Sequence, residues 1–227
     1  MGSLSRFVIT ISLDRPRIDF FIIYVVIYVY DDIILMMRCS AFEQNENHSL
    51  HKTPTPNITK SYLLGLIHDS TTSRYTYRLC QKSLSFLESV QRGIQKMGSK
   101  AWIYKEGKSR NVYILEFAKS LLKDSAIASP TDKIDYIRGY FDAEGSVPRN
   151  LLTRYYIYFC QKDFNDLEQV RNYLLELGIE CGKIHIPSIS VDPNYYRFYI
   201  LCNSWEKFGR FIGSFHNEKG KFVRMKI

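Results

Sequence analysis

The chain has 227 residues, 45% of them hydrophobic and 15% aromatic, which supplies core for one domain or two small ones and favours strands alongside helices. Its 31 Lys and Arg against 23 Asp and Glu give a net charge of +8, the sign expected of a chain that meets phosphate backbones or anionic membranes. The five cysteines, Cys39, Cys80, Cys160, Cys181 and Cys202, form no CxxC pair and make an odd count, which argues against a zinc finger or a disulfide framework and suits a reducing compartment such as cytoplasm or an organellar matrix.

The chain opens on an apolar run, "IDFFIIYVVIYVY" at 18–30, that Asp31 and Asp32 interrupt. A membrane span needs about 20 apolar residues, and no small-residue cleavage site follows, so neither a span nor a signal peptide fits. The polar, proline-punctuated stretch at 43–57 has the composition of a linker. Residues 1–58 are therefore expected to form an extension outside the main fold, with no stable membrane association.

From residue 59 onward the chain repeats itself. Shifted by 80, "RYTYRLCQKSLSFLESVQRGIQKMG" (74–98) lies on "RYYIYFCQKDFNDLEQVRNYLLELG" (154–178) with nine of 25 positions identical. Unrelated segments would share about one or two at typical residue frequencies. Each copy begins with a short apolar helix, at 59–69 and 132–144. Alternating strands follow at 75–82 and 155–162. Second helices start behind the capping residues Ser83 and Asp163 and stop at Gly98 and Gly178. Two strands come next in each copy, at 101–107 with 111–117 and at 182–188 with 195–201. Closing helices are expected at 118–125 and 204–216. The fold class is thus α+β, as two tandem αββαββα-like repeats over 59–130 and 131–227 related by a pseudo-twofold.

Two halves need a joint. Gly65 and Gly139 occupy matching places in the two opening helices. Glycine inside a helix costs about 0.5–1 kcal/mol relative to alanine, so a matched pair points to close backbone approach between those helices.

The end of the second of these helices is odd. In "GYFDAEGS" (139–146) Asp142 and Glu144 lie at a helix C-terminus, where the macrodipole makes acids unfavourable by about 0.3–1 kcal/mol each. A bound divalent cation would reverse that sign. Hard cations take carboxylate and phosphate oxygens, and Mg²⁺ needs few protein ligands. The first helix ends differently, with His68, Asp69 and Ser70.

"YLLGLIHDSTTS" and "YIRGYFDAEGSV" resemble the two motifs of the LAGLIDADG homing endonucleases, the first in degenerate form, and the resemblance covers about residues 60–227. It implies that the two motif helices form the interface, that their terminal acids hold divalent metal over the scissile phosphates, and that two antiparallel sheets form a saddle on double-stranded DNA. Carried onto this chain, it makes Glu144 the acid of the second motif and leaves Ser70 where the first-motif acid belongs. Metal ligands are then expected from Glu144, Asp69 and Ala143, with Mg²⁺ as the cofactor. Asp69 lies one residue early, a rotation of about 100° on a helix, so it reaches the site only if the helix unwinds locally there. Otherwise it is a solvated turn acid. The resemblance gives Gln81 and Gln161 a part in ordering water or metal, Lys82 and Lys162 a place near phosphates, and Lys221 a polarising role.

Strand alternation sorts the expected DNA surface. Arg74, Thr76, Arg78 and Cys80 share one face of the first copy's strand, and Arg154, Tyr156, Tyr158 and Cys160 share that of the second. Arginine there can read guanine and neighbours can pack on bases. Lys105, Lys108 and Arg110 on one hairpin, and Lys183, His185 and Arg197 on the other, extend the basic set. The expected function is site-specific DNA cleavage by a monomer with internal pseudo-symmetry, reduced to nicking by Ser70. The alternative is a DNA-binding regulator without activity, or a splicing maturase whose partner is intron RNA.

Overall fold

The computed structural model describes residues 56–107, 110–150 and 152–224. The apolar run at 18–30 and most of the expected extension lie outside these residues. Among the described residues no helix is long and apolar enough to cross a membrane.

The first half runs α1 (Lys60–Leu66), a 3-10 turn (Ile67–Asp69), β1 (Ser70–Thr72), β2 (Thr76–Gln81), α2 (Leu84–Lys96), β3 (Ala101–Lys105) and β4 (Tyr113–Ala118). A 3-10 turn at Lys119–Leu122 replaces the closing helix expected at 118–125. The second half runs α3 (Pro130–Glu144), β5 (Gly145–Ser146), β6 (Tyr158–Gln161), α4 (Phe164–Glu176), β7 (Tyr196–Tyr199), α5 (Trp205–Phe211) and α6 (Asn217–Arg224). Both sheets are antiparallel, ordered β1-β2-β4-β3 and β5-β6-β7. The class is α+β.

Local chemistry accounts for the element boundaries. Ser83 and Asp163 accept hydrogen bonds from the first-turn amides of α2 and α4, and Gly98 and Gly178 take positive φ, 78° and 68°, just beyond the ends of those helices. Ser129 and Asp132 close a capping box on α3, with Pro130 at its first position. Residues 182–188, expected as a strand, make only isolated bridges, Cys181 to Ile200 and His185 to Arg197. Pro187 cannot donate to a ladder, which limits this edge. The short strands β1 and β5, which follow directly from the motif helices, and α6 were not legible as elements.

Each half has its own core. In the first, Leu79, Phe86, Leu87, Val90, Ile94, Leu115 and Phe117 pack beneath the sheet. In the second, Phe141, Phe159, Leu167, Val170, Leu174, Phe198 and Phe208 do so. The apolar faces of β2 and β6 point inward as the alternation requires, with Leu79 and Phe159 buried.

The halves meet along α1 and α3, which lie side by side in the same direction. At their N-termini Thr59 Oγ1 donates to Asp135 (2.9 Å) and Ser61 Oγ to Asp132 (2.8 Å). Further along, a Cβ on Gly65 would lie 2.0 Å from the Tyr136 carbonyl oxygen, and one on Gly139 would lie 2.0 Å from that of Tyr62. The backbones touch at both glycines. No side chain fits there.

Candidate active site and nucleic-acid face

The parallel crossing carries both motif ends to one place, directly above the joint. Glu144 ends α3, and Gln161 at the end of β6 donates to its Oε1 at 3.0 Å. Asp69 ends the first half's 3-10 turn, and Gln81 at the end of β2 donates to its Oδ2 at 2.9 Å. The same acid–glutamine pair is therefore built twice, although the motifs differ by one residue.

The 3-10 turn explains how. From Gly139 to Glu144 five α-helical steps turn the chain by about 500°; from Gly65 to Asp69 one α step and three 3-10 steps turn it by about 460°. The angular error drops from about 100° to about 40°. Tightening, not unwinding, returns the acid to the site. Ser70 faces away from this role, donating to the Ile67 carbonyl at 2.5 Å.

The two carboxylates feel each other. Burial, then the charge of Asp69, pushes the Glu144 carboxyl up to about 7, against the opposing effects of Gln161 and Lys219. The Asp69 carboxyl is also raised by the surrounding protein, while Lys219 and Gln81 pull the other way. Such a pair is poised to take a cation.

Asp142 does a different job. Its side chain is 1% exposed and accepts from Tyr62 Oη at 2.7 Å, from the Phe215 amide at 3.0 Å, and from Ser214 Oγ. It is a buried, fully engaged carboxylate that ties the chain after α5 to the joint. That tie has a consequence for α6. Phe215 packs on Tyr62 at 5.2 Å between ring centroids, His216 on Phe86 at 4.9 Å, and Asn217 donates to Ser85 in the first half. The segment so anchored brings Lys219 under the site.

Lys219, not Lys221, is the lysine beside the acids. Its Nζ donates to the carbonyls of Phe141 (2.9 Å) and Asp142 (2.8 Å), capping the negative end of α3. Burial lowers its pKa, and the charges of Asp142, Asp69 and Glu144 oppose that. The misplaced acids of the sequence are thus met by a cation of the chain itself. Lys221 points outward and pairs loosely with Glu218 at 4.0 Å.

Asp69 and Glu144 fit a hard divalent ion. Among the described residues no group of three or more His, Cys, Asp and Glu is placed to hold a metal, and Mg²⁺ commonly takes one or two carboxylates and completes its shell with water and substrate phosphate. Ala143 lies in the last turn of α3, where carbonyls lack intrahelical partners.

The solvent faces of the two sheets flank this centre. On the first, Thr76 and Arg78 surround Glu116: Thr76 Oγ1 donates to it at 2.6 Å, Tyr104 Oη at 2.9 Å, and Arg78 Nε lies 4.0 Å away while donating to Tyr104 Oη. Trp102 and Tyr104 stand exposed on the same face. Arg74 lies over the Tyr75 ring, Lys82 is exposed just past β2, and Arg110 pairs with Glu106. On the second, Tyr156 stacks on Tyr158, Arg197 lies 4.3 Å from the Tyr158 ring centroid, and His185 stacks on Tyr199. Arg154 is exposed and, with Tyr156, Tyr199 and Trp205, lines a hollow of about 470 Å³. Lys183 is exposed, and Lys162 pairs with Asp192 at 2.9 Å. Sequence reasoning missed Trp102, Tyr104, Glu116, Tyr199 and Lys219. The first three were readable from the alternation of β3 and β4.

Residues 132–213 match the LAGLIDADG-like domain family. In fold, the chain is similar to I-DmoI in a crystal structure with DNA and manganese, with a TM-score of 0.53 and 24% identity over 67% of this chain and 94% of that one. A mesophilic variant of the homing endonuclease I-DmoI matches at 26% identity and the same TM-score, over 67% of this chain and 93% of the other. The N-terminal LAGLIDADG domain of DUF199/WhiA matches at a TM-score of 0.56 and 16% identity, over 71% of this chain and 85% of that domain, a likeness of fold. No curated protein sequence matches the chain.

Proposed function

We propose, from the match of residues 132–213 to the LAGLIDADG-like domain family, that the chain is a divalent-metal-dependent, site-specific endonuclease acting on double-stranded DNA. The observation that carries this reading is the doubled acid–glutamine pair, Asp69 with Gln81 and Glu144 with Gln161, at the ends of two touching helices with one half-buried lysine beneath. I-DmoI, similar in fold, is a homing endonuclease and has been crystallised on DNA with manganese, with calcium and, as a variant, with magnesium.

The chain's own residues divide the work. Asp69 and Glu144 would hold the metal, and the Ala143 carbonyl would be a further ligand. Mg²⁺ bound there would supply charge neutralisation at phosphorus and a water of lowered pKa. Gln81 and Gln161 each fix one carboxylate oxygen and so orient the pair. Lys219 keeps positive charge beneath the acids and limits their mutual repulsion. The aromatic and basic residues of the two sheets position the duplex through phosphate contacts and base edges. Because the 3-10 turn restores an acid to the first half, both strands are cut. Free Cys80, Cys160, Cys181 and Cys202 agree with work in a reducing compartment.

A target recovered by selecting bound sequences from a random duplex library, cloned into a supercoiled plasmid, tests the reading. With Mg²⁺ the full chain should yield linear product. Open circle alone would leave a nickase, and retardation without cutting would leave a DNA-binding regulator.

A further inference from the structure

The first-motif acid is not in the register its sequence implies, so something must hold the tightened turn that presents it. His68, the residue before Asp69, is the obvious holder. Its Nε2 lies 2.9 Å from Tyr136 Oη on α3, and its Nδ1 lies 3.1 Å from Asp166 Oδ2 on α4. Both partners belong to the second half. The ring is also wedged between aromatics, 5.9 Å from the Tyr136 centroid and 4.6 Å from that of Tyr140.

Comparison with the other half sharpens the point. Tyr62 and Tyr136 occupy matching places three residues before Gly65 and Gly139. Tyr62 reaches across the joint to Asp142, and Tyr136 reaches across to His68, which stands at Asp142's place in the first motif. The cross-joint bond is kept, but its acceptor is now a longer, ringed side chain with a second anchor on α4. α1 stops at Leu66 and the 3-10 turn begins at the next residue. A side chain fixed at both ring nitrogens cannot follow the α-helical path, and the chain ahead of it tightens.

We propose that His68 is a positioning residue: clamped by Tyr136 and Asp166, it holds the turn that swings Asp69 into the place Ser70 would have filled. The inference rests on the endonuclease reading for its effect on cleavage, but the positioning itself is independent of that reading. His68, Asp69 and Ser70 then form a working replacement for the first motif's ending rather than a decayed one. The clamp explains why an acid one residue out of register still pairs with Gln81.

Gln81 offers a readout that needs neither DNA nor metal, because its side-chain amide donates to Asp69, while that of Gln161 donates to Glu144 and serves as the internal control. Side-chain amide spectra would be recorded for the full chain, for His68→Ala, and for the milder Asp166→Ala, with Asp69→Ala marking the position of an unpaired Gln81. His68→Ala should move the Gln81 resonances to those of Asp69→Ala and leave Gln161 unmoved. Asp166→Ala should move them part of the way, and Asp166→Asn, which still accepts from the ring, should restore them. Strand-resolved cleavage gives the second arm: His68→Ala should slow one strand at least tenfold more than the other while duplex binding stays within twofold. Unmoved Gln81 resonances in both His68→Ala and Asp166→Ala, or equal movement of Gln81 and Gln161, would overturn the clamp. A wild-type chain that binds duplex without cutting it would overturn the endonuclease reading and leave the amide result standing.

Discussion

The two halves reach the same acid–glutamine pairing by different routes. In the second half a regular helix runs to its last residue, and Glu144 emerges half-buried with its carboxyl pushed up to about 7. In the first, the helix ends early, a 3-10 turn intervenes, and Asp69 emerges with an exposed edge. Matching side chains are thus less important than matching directions. A pseudo-symmetric site tolerates a one-residue slip in a motif if the backbone regains the lost angle, and the angle is set by bonds to the other half.

The largest expected effect comes from removing either acid. Glu144→Gln and Asp69→Asn should each lower cleavage at least about 100-fold, since even residues that only support a metal ligand matter by 10–100-fold. Rapid-quench assays with each strand labelled separately should show unequal losses on the two strands, with the strand most affected exchanged between the two variants. Identical strand profiles would mean that the acids act as one centre and that the halves are not functionally distinct.

The joint gives the next effect, on stability. Gly65→Val and Gly139→Val each place side-chain atoms where a Cβ alone would already lie 2.0 Å from a backbone oxygen. Overpacking of this kind costs about 3 kcal/mol or more, because the obstacle is backbone and cannot rotate away. Urea melts should show similar losses for both. A tolerant Gly65 beside an intolerant Gly139 would show that the first half's early helix end loosens the crossing.

How much of this was readable beforehand follows the same division. The duplication, the paired glycines and the inward faces of β2 and β6 were legible because each depends on local periodicity or on identity between copies. Gln81 and Gln161 could be singled out for that reason. The fate of Asp69 was not, because the turn that rescues it depends on His68 meeting Tyr136 and Asp166, partners 68 and 98 positions away in the chain, and no local propensity encodes such contacts. Lys219 was hidden among the lysines of the C-terminal segment. Only the anchoring of Ser214 and Phe215 on Asp142 decides which of them turns inward.

A third, smaller effect is pH dependence. The Glu144 carboxyl holds its proton more tightly folded, near 7, than the ordinary value near 4.5. In the metal-free protein the resulting stability is fully present below about pH 4.5 and is lost as pH rises through about 7, so thermal unfolding should occur at higher temperature at pH 5 than at pH 8, apart from other titrating groups. Cleavage runs the opposite way, because the ionised form binds metal, and its rate should fall about tenfold per unit below pH 7. Gln161→Ala removes a bond that favours the ionised form and should move that fall to higher pH. Gln81→Ala should move it less, since Gln81 touches Asp69 and reaches Glu144 only through charge.

The smallest effect separates the sheet faces. Arg78 is drawn toward Glu116 and Tyr104, whereas Arg197 is held over the Tyr158 ring and donates to Tyr199 Oη. An arginine already facing a carboxylate releases fewer counterions when it meets a phosphate. Arg197→Ala should therefore reduce the slope of log affinity against log salt by about 1, and Arg78→Ala by less. Glu116→Gln weakens the competitor without moving the sheet, so Arg78→Ala in that background should approach the effect of Arg197→Ala. Salt titrations of duplex binding by fluorescence anisotropy give all three slopes, and an equal loss for Arg78→Ala and Arg197→Ala in the wild-type background would mean that Glu116 does not restrain the first face.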